Sequence, residues 1–199
     1  MRRGRPKGTT RAKKPILKDE YNRLINAVHK THVLKSATKP KFIKAFTLMY
    51  LTGCRVSEII RFKTSDLVEM CERNEYSLRN NTKTSTPRLI SFDSEGKQKE
   101  MIGELIPPVE RYLFYSNARS NPMSISSFTI QLNNFIKRVL GEYYSTHSFR
   151  QGYITRGHQE GFSLEHLRED IGHKNLATTA IYTVVSSKEI ADKKSQIDW

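Results

Sequence analysis

The chain has 199 residues, enough for one full-sized domain, and 37% of them are hydrophobic, enough to build a core. Its 34 Lys and Arg against 20 Asp and Glu leave a formal charge of +14, which points to a polyanionic partner, nucleic acid first and an anionic membrane surface second. Cys54 and Cys71 lack metal-ligand spacing, which excludes a disulfide scaffold and a zinc site and fits a reducing compartment; no apolar run is long enough to span a bilayer, and no apolar segment follows the basic N-terminus as a secretory signal requires.

Residues 1–18 carry Arg2, Arg3, Arg5, Lys7, Arg11, Lys13, Lys14 and Lys18 and no acid. With Gly, Pro and Thr interspersed, this tail is expected to be disordered alone, ahead of a globular part at 19–199. Within it, Arg3-Gly4-Arg5-Pro6-Lys7-Gly8 resembles an AT-hook. A narrow Gly-Arg-Pro ribbon suits the minor groove of AT-rich DNA, whose negative potential attracts Arg3, Arg5 and Lys7. The plainer reading is a nonspecific basic tail.

Tyr21, Leu24, Ile25 and Val28 share one face and predict a first helix. Phe42, Phe46, Met49 and Tyr50 predict a second, ended by Gly53, and Ser57 is placed to cap a short third helix through Phe62. Tyr76–Asn80, Arg88–Phe92 and Lys99–Ile106 read as strands of a small antiparallel sheet. Helical signals return at Pro108–Ser116, Ser127–Leu140, Ser148–Glu160, Ser163–Ile171 and Thr178–Val184. Ser186 and Glu189 have capping-box spacing before a last helix. The expected fold class is mainly α with one small antiparallel β-sheet.

The residues with chemical potential come in a fixed order. Thr52-Gly53-Cys54-Arg55-Val56-Ser57-Glu58 places Arg55 just after a helix break, where a helix N-terminus adds positive potential for a phosphate. Thr146-His147-Ser148-Phe149-Arg150 puts His147 and Arg150 on one face of a helix start. Ile171-Gly172-His173 follows, and then Thr178-Thr179-Ala180-Ile181-Tyr182-Thr183. Breaking a DNA strand with a side chain needs a hydroxyl nucleophile, cationic donors for the charge of the transition state, and an acid for the leaving oxygen. Arginines, histidines and a tyrosine of this kind supply such a set.

The order of these segments resembles the catalytic domain of the tyrosine recombinase (phage integrase) family over residues 15–199. Arg55 lies in a "TGxRxSE"-like segment, His147 and Arg150 match its His-x-x-Arg, and Gly172-His173 with Tyr182 match its final segment. Lys83, ahead of Arg88-Leu89-Ile90-Ser91-Phe92, fits the hairpin lysine, although Thr82-Lys83-Thr84 replaces the usual glycine-rich turn. Gln151 stands where the family often has a second His. The resemblance is to short members that lack an N-terminal clamping domain.

It implies a tyrosine recombinase catalytic-domain fold and a site-specific DNA recombinase acting in integration, excision or inversion. Tyr182 would be the nucleophile forming a 3′-phosphotyrosine. Arg55 and Arg150 would hold the non-bridging oxygens, and Lys83 would protonate the leaving 5′-oxygen. His147 would handle the tyrosine proton, and His173 would hydrogen-bond the phosphate. No metal or ATP cofactor is implied. The partners are double-stranded DNA and, in synapsis, a homo-tetramer in which the segment from Ser187 to about Lys194 docks on a neighbour. The compartment would be a bacterial or viral cytoplasm or nucleoid, with an organelle or nucleus open. Rival functions are a catalytically silent DNA-binding regulator of this fold and a type IB topoisomerase. The plainer reading of Arg55 is an ion pair with Glu58 or Asp66; Glu58 reads as a structural partner and not an acid–base group, and Tyr143, Tyr144 and Tyr153 as structural. His158 and His166 read as ordinary histidines, and Lys97 and Lys99 as alternatives to Lys83 on a nearby strand.

Overall fold

The computed structural model describes residues 13–78, 88–92, 96–116 and 121–172. Helix α1 (Lys18–Lys30) buries Tyr21, Leu24 and Val28, the face expected from their spacing. Glu20 stabilises its start by accepting from Leu17 N at 3.0 Å. Helix α2 (Lys39–Thr52) carries Pro40 in its first turn and buries every residue from Ala45 to Thr52. It is the central element, packed against α1, the short α3 (Val56–Ile59), α5 (Lys97–Gly103) and α7 (Thr146–Gln159). Gly53 ends α2 in the left-handed region, at φ 62°, where a side chain would be strained.

A layer of phenylalanines holds the helices together. Phe46 of α2 stacks on Phe149 of α7 with ring centroids 5.5 Å apart. Phe42 meets Phe135 of α6 (Ile125–Leu140) edge-on, also at 5.5 Å. Offset and edge-on contacts of this kind add to the energy of burial itself. Helix α8 (Leu164–Ile171) closes on α7 through a separate small cluster of Ile154, Leu167 and Ile171. The sheet is a two-stranded antiparallel hairpin of β1 (Glu75–Leu78) and β2 (Arg88–Ser91), in which Leu78 faces Arg88 and Tyr76 faces Ile90. No helix among the described residues is long and apolar enough to cross a membrane.

Four local expectations are corrected. A helix absent from the sequence reading, α4 (Thr64–Arg73), precedes β1 and buries Leu67 and Met70. Lys99–Ile106 is not a strand: α5 covers Lys97–Gly103, and Ile102 and Leu105, three residues apart, both face the core. Pro108–Ser116 is not a helix. It runs in bends beside α4, with Thr64 N donating to Arg111 O at 2.9 Å and isolated bridges joining Lys63 to Tyr112 and Tyr115 to Pro122. Ser57 does not cap α3, whose N-cap is Arg55. Thr178–Val184 and the last helix fall outside the described residues.

Residues 13–18, expected to belong to the disordered tail, are instead ordered: 13–17 lie along α7 and Lys18 opens α1. Lys14 N donates to Tyr143 O at 3.0 Å and Ile16 N to Ser148 O at 2.9 Å, and Ile16 is fully buried. This approach requires Gly152, because a Cβ there would lie 1.9 Å from the Ile16 carbonyl oxygen. Gly152→Ala is expected to cost about 3 kcal/mol and to lower the thermal unfolding midpoint by about 10 °C. A scanning-calorimetry midpoint within about 2 °C of the parent would show that residues 14–16 do not hold this place on α7 in solution.

Candidate active site

The site is built on the break between α2 and α3. The Thr52 hydroxyl turns back to Leu48 O at 2.7 Å and accepts from Cys54 N at 3.2 Å, which shapes the turn. Arg55 follows at the head of α3, with its side chain 44% exposed. Glu58, one turn on, is almost fully buried. Its carboxylate accepts from Arg55 N at 2.6 Å and from Arg55 Nη1 at 3.1 Å, and its Oε2 lies 3.5 Å from Arg88 Nη1. A buried carboxylate in this position is a structural anion that orients guanidinium groups, as its sequence position suggested.

Helix α7 supplies His147 and Arg150. It starts at Thr146, two residues earlier than expected, so both lie in its first turns. Thr146 N donates to Asn133 Oδ1 at 2.8 Å, which ties this start to α6. His147 keeps surface exposed to solvent. Desolvation of the ring, reinforced by the positive Arg150 and Arg55, pushes its pKa below the usual 6.5. The imidazole is therefore neutral at pH 7 and able to accept a proton.

Arg150 is 1% exposed. It donates Nη1 to Gly53 O at 3.1 Å and Nη2 to Ile171 O. Burial, with the positive Arg88 and Arg55 nearby, holds its pKa well below the usual arginine range, yet it stays charged at neutral pH. Positive charge is thus gathered at one point of the molecule from segments almost a hundred residues apart in sequence, as an oxyanion requires.

Tyr153 donates its hydroxyl to Asp170 Oδ2, and burial pushes its phenol pKa up. Its ring lies where a Cβ on Gly53 would come within 2.9 Å. Tyr153 therefore packs the α2–α3 break, in keeping with its structural reading. Cys54 is buried with its thiol pKa pushed up by desolvation, and Cys54 and Cys71 are both free thiols. Among the described residues no group of three or more His, Cys, Asp or Glu could hold a metal ion.

Arg88 was missed as a site residue. The β2 pattern turns Arg88 and Ile90 inward and Leu89 and Ser91 outward, and an arginine on the inward side of an alternating strand was the available signal. Lys83, in the segment joining β1 to β2, lies outside the described residues. So do His173, Tyr182 and the tail residues Arg3, Arg5 and Lys7.

The profile of the phage integrase family matches residues 14–189. The tyrosine recombinase XerC of Staphylococcus carnosus is 31% identical over 149 residues, 72% of this chain and 49% of its own length. The tyrosine recombinase XerD of Corynebacterium glutamicum is 28% identical over 151 residues, 73% of this chain and 48% of its own. The chain thus spans about half the length of these curated relatives. Among solved structures, the XerA recombinase covers 97% of this chain and 66% of its own at TM-score 0.66 and 21% identity. The Tn1549 transposon integrase in complex with a circular intermediate DNA covers 96% and 68% at TM-score 0.73 and 15% identity. The fold, mostly helical with one two-stranded hairpin among the described residues, is that of tyrosine recombinase catalytic domains. By the span and order of the matched sequence, the chain belongs to the phage integrase family.

Proposed function

We propose that this chain is the catalytic part of a site-specific DNA recombinase that cleaves and rejoins strands through a 3′-phosphotyrosine. The observation that carries the reading is the meeting of exposed Arg55, His147 and buried Arg150 at the α2–α3 break. Membership of the family supports it. So do solved neighbours that are themselves bound to DNA, such as the XerH recombinase on its difH substrate.

In this reading the Tyr182 oxygen attacks the scissile phosphorus and its proton passes to His147. The bond from phosphorus to the 5′-oxygen breaks, and Lys83 protonates the departing oxygen. Arg55, Arg150 and His173 face the non-bridging oxygens. The incoming 5′-hydroxyl later reverses the steps, so bond energy is conserved. Arg3, Arg5 and Lys7 add phosphate or minor-groove contacts. Because two duplexes exchange four strands and one chain carries one tyrosine of this kind, the assembly in synapsis is a homo-tetramer.

The test is covalent trapping. Purified chain is incubated with a library of duplexes nicked next to random sequence, so that the short cleaved fragment diffuses away and religation fails. Protein-linked DNA is then recovered under denaturing conditions and sequenced. A linked 3′-phosphate at one defined sequence is the expected result. Binding with no covalent product from any library member would leave a DNA-binding protein and end the recombinase reading.

A further inference from the structure

Arg88 is 3% exposed, and its three nitrogen positions each face a protein acceptor. Nη2 donates to Thr52 O at 2.6 Å, Nε to Asp170 O, and Nη1 faces Cys54 Sγ at 3.6 Å and Glu58 Oε2 at 3.5 Å. Arg150 makes the same pair of attachments one residue along, to Gly53 O and Ile171 O. Two guanidinium groups from different elements therefore hold consecutive carbonyls at the end of α2 and again at the end of α8. Carbonyls at helix C-termini have no partner within the helix and carry partial negative charge. Two cations at two such ends satisfy both needs.

What they hold is specific. One end leads within three residues to Arg55, and the other lies next to Gly172 and then His173. Glu58 completes the linkage, since its carboxylate reaches both exposed Arg55 and buried Arg88. Burial works against the charge of Arg88, but the surrounding negative groups outweigh it and its pKa lies above the usual value. The residue is thus a permanent cation committed to protein acceptors.

We propose that Arg88 is a positioning residue for phosphate recognition: with Arg150 it clamps the α2–α3 break to the end of α8 and so sets where Arg55 and Arg150 stand. This rests on the cleavage reading above. It places β2, the root of the hairpin that leads from the Lys83 segment, in the same clamp as the arginines.

The test uses the full chain with Arg88→Gln and Arg88→Lys. Hydrogen exchange, which needs no DNA, should quicken about tenfold or more at residues 52–55 and 170–172 in Arg88→Gln, while the cores of α2 and α6 keep their protection. On a nicked duplex carrying the site recovered by trapping, Arg88→Gln should slow covalent cleavage about thirtyfold with DNA affinity within about twofold, and Arg88→Lys should lie between it and the parent. A second duplex carries a neutral methylphosphonate at the scissile position. Misplaced arginines matter less there, so Arg88→Gln should come within about threefold of the parent. Loss of general stability would slow both substrates alike. Equal slowing on the two duplexes, or unchanged exchange at both helix ends, overturns the proposal. A parent protein that forms no adduct overturns the recombinase reading instead. Should Arg88→Gln fail to fold, Arg88→Lys decides by the same ratio between the two substrates.

Discussion

Tyr182→Phe is expected to abolish covalent attachment to DNA. Its DNA affinity should stay within about twofold, because the change removes one uncharged hydroxyl and no phosphate-neutralising charge. The nucleophile is the one group in the proposed mechanism that nothing else can replace, since water attack would leave a free phosphate end and no protein–DNA bond. The chain has nine tyrosines, so the same substitution elsewhere is the proper comparison. Tyr153→Phe removes a hydroxyl bound to half-buried Asp170 and should cost about 1 kcal/mol of stability while leaving adduct formation in place. Denaturing gels of trapped complexes and native gel shifts measure the two quantities separately. Adducts with Tyr182→Phe, or their loss with Tyr153→Phe at full DNA binding, would move the nucleophile to another tyrosine.

What the sequence disclosed depended on how local each signal was. Gly53 announced the end of α2 because a left-handed residue after a long apolar helix has few other solutions. Arg55, His147 and Arg150 were legible from spacing and order, and the fold brings them to one break. Helix α4 was not. Leu67 and Met70 give it only a short apolar face, and its start relies on Asp66 accepting from Lys63 N at 2.7 Å, a local contact that apolar spacing does not announce. Lys99–Ile106 looked extended because Met101, Ile102, Leu105 and Ile106 are β-tolerant, whereas packing of α5 on α4 and α2 settles a helix. Arg88 was hidden for a different reason. Its inward place on β2 marked it as buried, but two of its partners are the backbone carbonyls of Thr52 and Asp170, and no side-chain pattern encodes which carbonyls a fold will leave unpaired.

Replacing the scissile 5′-oxygen by sulfur should separate proton donation from charge stabilisation. A thiolate leaves readily and needs little protonation. With the normal ester, Lys83→Ala is expected to slow cleavage about 100- to 10,000-fold, and with sulfur it should return to within about tenfold of the parent. The comparison variant has to lose charge without losing the fold. Arg150→Ala is unsuitable, because Arg150 is buried and holds Gly53 O and Ile171 O. Arg55 is 44% exposed and keeps its backbone attachment to Glu58 in Arg55→Ala. That variant should stay about 100-fold slow or worse on both esters, since the non-bridging oxygens carry the same unmatched charge whichever atom leaves. Single-turnover rates on the two esters give the ratio directly. If sulfur rescues both variants equally, or neither, Lys83 is not the acid. Lys97 and Lys99 would then be tested on different grounds from those that first suggested them. They lie on α5, which packs on α4 and α2, so substituting them probes a helix and not the hairpin.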